Sequence, residues 1–297
     1  MAIGPVDDHR NREGGAMVYP VYSRRSGGLS IGINLFPDRK VCSFNCPYCE
    51  VFPLETGIVF DLETMKTALR REILAALKRR LSIRDICFSG NGEPTLSPHF
   101  MDALRAARIA RDELAWDKSG GGARLVLITN GTGLRNPEVF AFLRAEALAD
   151  RGLHIWLKID AATGSWYKAM GRTDFPQGEL LSRIRAFAAS GAPFTIQTML
   201  CKLADPAAGP EGLPPPEESA AWVRLVTELA DTARRADITP GKMGRGVQGV
   251  QIYGKARPAP EDPLAEAAPA AALDERARLL RASLEGAGIA VPVEVYP

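Results

Sequence analysis

The sequence is poor in several things that would narrow its class at once. It has only three histidines, His9, His99 and His154, and their positions show no ligand spacing, so they suggest no histidine metal centre. No apolar run reaches the ~20 residues needed to cross a bilayer. The opening stretch MAIGPVDDHRNREGGAMVYP lacks the apolar core of an export leader. A cytoplasmic protein with no membrane partner is therefore the expectation. Net charge is also scarce: a balance of +2 neither requires nor excludes a nucleic-acid partner, because polyanion binding depends on how charge is clustered. The five cysteines are odd in number, with none before Cys42 and none after Cys201. That pattern argues for ligation or redox chemistry and against a disulfide framework.

What is present reads as a soluble α/β protein. Hydrophobic residues make up 46% and charged residues 24% of 297 residues, which allows one large domain or two ordinary ones. Short β-branched runs alternate with longer stretches of helical period. Strands are expected at Leu29–Leu35, Asp85–Ser89, Leu125–Thr129, His154–Ile159, Phe194–Leu200 and Val250–Tyr253. Helices are expected near Leu62–Leu81, His99–Leu114, Pro137–Ala149, Glu179–Ser190, Glu217–Arg235 and Leu273–Ala287. Strands separated by helices imply parallel pairing, because a parallel neighbour needs a long crossover. Periodicity does not decide between a curled partial barrel and an open sheet.

In such folds the chemistry gathers at the carboxyl ends of the strands, so loops that leave a strand matter most. The stretches Asp117–Ala123 and Ile238–Gly249 lead into strands and read as connectors. Lys202–Pro216 leaves a strand and is rich in Pro and Gly; it reads either as a lid or as an insertion without fixed structure. Arg257–Ala272 joins the sixth strand to the last helix.

The densest signal is Cys42-Ser-Phe-Asn-Cys46-Pro-Tyr-Cys49, directly after the first expected strand. Three thiolates on one short loop can converge on a single metal centre. A structural zinc site would need a fourth ligand, and no His or Cys lies between Phe52 and Ile86. A non-catalytic metal module is the alternative, either iron–sulfur or zinc with Cys87 or Cys201 as a remote ligand; otherwise those two are inert core thiols. A second signal is Ser89-Gly90-Asn91-Gly92-Glu93 after the second strand. Its glycines permit close backbone approach, and Glu93 can accept from a cationic amine; an ordinary glycine turn ended by Pro94 is the plainer reading. Asn130, Asp160 and Gln197 are polar residues at or near strand ends, suited to ligand hydroxyls or to caps, and Gln197 in an apolar strand needs a partner. Lys158, if inward, can hold a carboxylate or form a Schiff base; outward, it snorkels between helices.

CxxxCxxC with Tyr48 before its last Cys resembles the signature of the radical S-adenosylmethionine superfamily. SGNGEPTL at Ser89–Leu96 is similar to its methionine-binding segment. TNG at Thr129–Gly131, LKIDA at Leu157–Ala161 and IQTM at Ile196–Met199 continue the likeness. Ser23–Pro37 and Val250–Pro258 resemble a subgroup related to the wyosine-forming tRNA enzymes.

The resemblance implies a partial (β/α)6 barrel of parallel strands with outer helices, spanning residues 29–297 after an N-terminal extension 1–28. It implies a [4Fe–4S] cluster on Cys42, Cys46 and Cys49, with one iron open to S-adenosylmethionine. It also implies reductive cleavage to a 5′-deoxyadenosyl radical, and hydrogen abstraction from a substrate that is a tRNA base, a peptide or a small metabolite. By the same likeness Ser89 to Glu93, Asn130, Asp160 and Gln197 bind the cosubstrate, Tyr48 packs beside the cluster or the adenine, and Ile252 with Tyr253 borders the adenine. A flavodoxin or ferredoxin is the expected reductant. Arg24-Arg25 either meet phosphates or are simply solvated, and their match to the subgroup pattern favours a role at the site.

The wyosine-forming enzymes carry a second cluster on three upstream cysteines. Here no Cys precedes Cys42, and only Cys87 and Cys201 remain, so a second all-cysteine cluster is not expected. The wyosine reaction itself is not carried over.

Overall fold

A computed structural model describes residues 16–51, 55–115, 122–149, 151–236, 246–257, 259, 262 and 265–297. Most of both expected connectors, Asp117–Ala123 and Ile238–Gly249, and part of Arg257–Ala272 lie outside the described residues. The chain divides into two compact units: Met1–Cys42 with Val51–Thr129 and Ala149–His154, and Ser43–Glu50 with Asn130–Leu148 and Ile155–Pro297.

The first unit carries β1 (Val18–Ser23), β2 (Gly28–Ile33), β3 (Ile83–Phe88) and β4 (Arg124–Thr129), with α1 (Leu62–Lys78) and α2 (Phe100–Leu114). Strands β2, β3 and β4 run parallel, as the α/β alternation requires. Asp61 caps α1 by accepting from the Thr64 amide, and Met65, Leu69 and Ile73 form its buried stripe at a spacing of four. Phe88 meets Phe100 of α2 edge to face, with ring centroids 5.9 Å apart.

Strand β1 lies within the stretch expected as an extension and pairs antiparallel with β2. Pro20 hides it from a sequence reading, yet proline is tolerated on an edge strand because one row of amides there needs no partner. Gly32 pairs with Tyr19 across the two strands and lies under its ring: a Cβ there would sit 2.3 Å from the ring, so a larger residue would have to displace it. The β1–β2 turn also corrects the placement of Arg24-Arg25. They stand at the start of β2, whereas the cysteine loop leaves its end.

The second unit carries β5 (Leu153–Lys158) from Ile155 onward, β6 (Phe194–Lys202), β7 (Val247–Gly254) and β9 (Val293–Tyr296), all parallel, with β8 (Glu266–Ala267) antiparallel on the end of β6. Its helices are α3 (Pro137–Leu148), α4 (Gly164–Gly171), α5 (Gln177–Ala189), α6 (Pro216–Arg235) and α7 (Ala270–Gly286). Both units thus show the mostly parallel α/β arrangement expected of a partial barrel.

Helix α4 and strand β9 were not expected. The start of α4 is held by a buried carboxylate from α6: Glu218 accepts from the amides of Ala162 and Thr163 at 2.8 and 2.7 Å. This satisfies amides that a helix start otherwise leaves open. No local sequence signal reports a cap that arrives from 55 residues away. The Lys202–Pro216 loop folds back on itself through Leu203 N–H to Gly212 O and Gly209 N–H to Leu213 O, both 2.8 Å. Leu203 is buried beneath it. The reading as an insertion without fixed structure is therefore corrected: the loop is closed and ordered.

Candidate functional site

In the first unit, the glycine segment after β3 is a seat for the backbone that enters the cysteine loop. Val41 bridges Gly92 in parallel. The Val41 amide donates to Asn91 O, and its carbonyl accepts from the Glu93 amide, each at 2.9 Å. A Cβ on Gly92 would lie 1.8 Å from Val41 O, so no other residue fits. Gly90 has φ of +128°, and a Cβ there would meet the Asn34 side chain at 2.7 Å. Asn34, which the sequence reading passed over, is buried and accepts from the amides of Phe36 and Asn91 at 3.1 Å each. Asn91 in turn donates to Phe36 O at 3.0 Å. Ser89 shares a 3.1 Å hydrogen bond with Tyr19.

Glu93 is 3% exposed, and its Oε1 accepts from the Thr95 amide at 3.2 Å and from the hydroxyls of Thr95 and Thr129 at 2.6 and 2.7 Å. One oxygen of the carboxylate is thereby committed to capping the short 3-10 turn Pro94–Leu96. Cys42, next to the seated Val41, is exposed.

In the second unit, the rest of the cysteine loop is held by a series of strand-end and helix-end groups. The Asn45 amide donates to Gly171 O at 2.8 Å, and the Thr173 hydroxyl to Ser43 O at 2.6 Å. Ser43 shares a 2.6 Å bond with Thr132, which itself donates through amide and hydroxyl to Asn130 Oδ1 at 3.0 and 2.7 Å. Asn130 is thus a turn residue that orders the neighbour of the loop. The Cys49 amide closes a turn on Cys46 O at 2.9 Å, and both thiols are half-buried. Arg257, from the GKARP segment after β7, pairs with Glu50 at 2.6 Å.

Tyr48, between those two cysteines, is buried and donates to Asp160. Lys158 stands inward, 4.7 Å from the centroid of Tyr48 and 5.0 Å from that of Tyr253, and donates to the Tyr253 hydroxyl. Asp160 lies 3.2 Å from the Lys158 ammonium, and its Oδ1 accepts from the Met199 amide at 2.8 Å. The outward, snorkelling position for Lys158 is corrected. Burial alone pushes the Lys158 amine down, but the Asp160 carboxylate and Tyr253 outweigh it and hold the amine above its usual range. Lys158 is therefore a fixed ammonium, which does not favour Schiff-base attack. Burial, and then Asp160, pushes the Tyr48 phenol well above its usual range.

Alternation along β7 sorts the remaining expectations. A Cβ on Gly254 would lie 3.6 Å from Leu273 of α7, so Gly254, Ile252 and Val250 face the helix. Tyr253 and Gln251 face the other way, with Gln197 and Lys158. The pairing of Ile252 with Tyr253 around one ligand is therefore corrected as far as side chains go, because a strand sends consecutive side chains to opposite faces. Gln197 finds its partner in Gln251, to which it donates at 2.7 Å.

The five cysteines separate by environment. Cys87 and Cys201 are buried in strands; burial raises both thiols, Cys201 to about 12, and leaves them protonated and inert. Cys42, Cys46 and Cys49 share one loop with exposed or half-buried thiols. This donor set, soft, accessible and without a local fourth ligand, fits an iron–sulfur cluster better than a closed zinc site. Among the described residues no three His, Cys, Asp or Glu side chains already stand together as a metal site. The described residues include no helix long and apolar enough to cross a membrane.

Comparison with known proteins bears on the same segments. A sequence model of the radical SAM superfamily matches residues 39–201. A UPF0026 protein of Helicobacter pylori is 28% identical over 171 residues, 56% of this chain and 48% of that protein. The chain thus spans about half the length of the curated relatives it matches. Among solved structures, Streptococcus suis SuiB bound to precursor peptide SuiA superposes with a TM-score of 0.60 at 11% identity, over 89% of this chain and 48% of that one. TYW1 with a lysine-pyruvate adduct bound superposes at 0.53 and 14% identity, over 85% and 73% of the respective chains. At these identities the structural likeness is one of fold.

Proposed function

Because the chain belongs to the radical SAM superfamily, whose members use a [4Fe–4S] cluster and S-adenosylmethionine, we propose that Cys42, Cys46 and Cys49 hold the cluster and that the enzyme abstracts a hydrogen atom from its substrate. With both groups bound, the chemistry supplied is one-electron cleavage of the sulfonium to methionine and a 5′-deoxyadenosyl radical. The reductant is a small electron carrier of the flavodoxin or ferredoxin type.

The observation that carries this reading is the separate anchoring of the cysteine loop: the backbone ahead of Cys42 is seated on Gly92, and the loop around Cys46 and Cys49 is tied down through Tyr48, Asn45 and Glu50. Such preorganisation lowers the ordering cost of ligation. Ser89 to Glu93 present a fixed backbone edge to the methionyl group. Asn130 and Asp160 support the cosubstrate from strand ends, Asp160 while holding Tyr48 in place. Tyr253 and Gln197 stand on the same face as Lys158, which offers a permanent ammonium to a substrate oxygen.

The test is anaerobic reconstitution with iron and sulfide, followed by reduction in the presence of S-adenosylmethionine. Release of 5′-deoxyadenosine and methionine is expected, and Ala at Cys42, Cys46 or Cys49 is expected to remove most of the bound iron. Fully reconstituted, reduced protein that cleaves nothing overturns the reading.

A further inference from the structure

One row of polar side chains crosses the second unit in strict register. Lys158 of β5 pairs with Gln197 of β6, Gln197 with Gln251 of β7, and Gln251 with Glu294 of β9. Gln197 and Gln251 stand on the face of β6 and β7 turned away from α7, as the Gly254 contact with Leu273 establishes. Their hydrogen bonds run in one direction: Gln197 Nε2 donates to Gln251 Oε1 at 2.7 Å, and Gln251 Nε2 donates to Glu294 Oε2 at 3.2 Å. Tyr296 also donates to Glu294 Oε2, at 3.0 Å.

The anion at one end therefore orients both amides, and the row reads cation, amide, amide, anion. It runs from a Gln197 with no exposed surface to an exposed Glu294. Three strand steps of ~4.8 Å place the two charges roughly 14 Å apart. A buried row of amides needs only mutual satisfaction. A row ending in an oriented carboxylate at the surface also offers a negative docking point for a cationic ligand.

We propose that Glu294, oriented from beneath by this buried row, selects a substrate carrying an amine or guanidinium, as on a basic peptide side chain. The proposal rests on the radical reading for the reaction at the Lys158 end, and narrows its substrate class. A nucleic-acid strand would bring phosphate against the Glu294 carboxylate, and like charges there oppose binding.

The test uses the full, reconstituted chain under anaerobic conditions, titrated calorimetrically with Ac-Ala-Ala-Lys-NH2 and Ac-Ala-Ala-Glu-NH2. The lysine peptide is expected to bind about fivefold more tightly, the scale of one solvent-exposed ion pair. Glu294→Gln should erase the difference with the melting temperature unchanged, because an amide oxygen still accepts from Gln251, and Glu294→Lys should reverse it with a lower melting temperature, because Gln251 loses its acceptor. A purely structural Glu294 would not produce the reversal.

Equal binding of the peptides, no binding of either, a preference that survives Glu294→Gln, or tighter binding of a ribohexanucleotide overturns the proposal. Cleavage of S-adenosylmethionine is measured in the same preparations. Cleavage without peptide discrimination overturns the role of Glu294 alone, whereas discrimination without cleavage overturns the radical reading alone.

Discussion

The glycine segment after β3 and the Lys158 network after β5 both steady parts of the cysteine loop, but by different physics. At Gly92 the anchor is backbone against backbone, with Val41 O where a side chain would have to stand. At Lys158 the anchor is a set of side chains, an ammonium between two rings and a carboxylate that also holds Tyr48. The first tolerates no added volume and is indifferent to charge. The second is built on charge, so its cost appears when one partner is removed and shrinks when both are.

That difference is sharpest in the Lys158 network. Asp160→Ala leaves a nearly buried ammonium without its carboxylate and is expected to cost about 3–5 kcal/mol in urea unfolding. Replacing the pair together, as Lys158→Met with Asp160→Asn, should recover most of that loss, because the amide oxygen still accepts a hydrogen bond while both charges are gone. A double variant no more stable than Asp160→Ala would mean that the network is not held by charge.

The volume-limited seat should give a smaller stability loss but a larger loss of metal. Gly92→Ala is expected to cost about 1–3 kcal/mol through overpacking, and to reduce iron retained after reconstitution severalfold, measured per chain by colorimetric assay. Full iron loading in this variant would break the assignment of Gly92 as the seat of the cysteine loop.

The smallest effect has the opposite sign. Gly178, in the first turn of α5, has nothing within 4 Å of its missing Cβ and no positive φ. Gly178→Ala should raise stability by about 0.5–1 kcal/mol and leave iron content unchanged. A destabilised Gly178→Ala would show that glycine in this chain does more than the geometry assigns to it.

Much of the parallel framework was legible because burial imposes a period. The expected strand Leu125–Thr129 and the observed β4 differ by one residue, and the six expected helices all appear. What escaped were elements whose stability comes from elsewhere in the chain. Strand β1 carries a proline that only an edge position permits, α4 takes its cap from Glu218, and β9 depends on pairing with β7. At the site, the cysteine loop and the glycine segment stood out by composition. Asn34, Gln251, Glu294 and the Arg257–Glu50 pair did not, since a single polar residue in a strand gives no sign of which neighbour it will meet.

The sequence by itself determined the metal chemistry on offer, because three closely spaced thiols without a local fourth ligand restrict what can bind them. It also determined the α/β class, because hydrophobic period dictates which segments can be buried. Only the tertiary structure decided that Lys158 is a fixed ammonium, that Ile252 and Tyr253 face apart, and that four strands align their polar side chains into one row. Those properties belong to register and to neighbours, and register is set by pairing between segments that lie far apart along the chain.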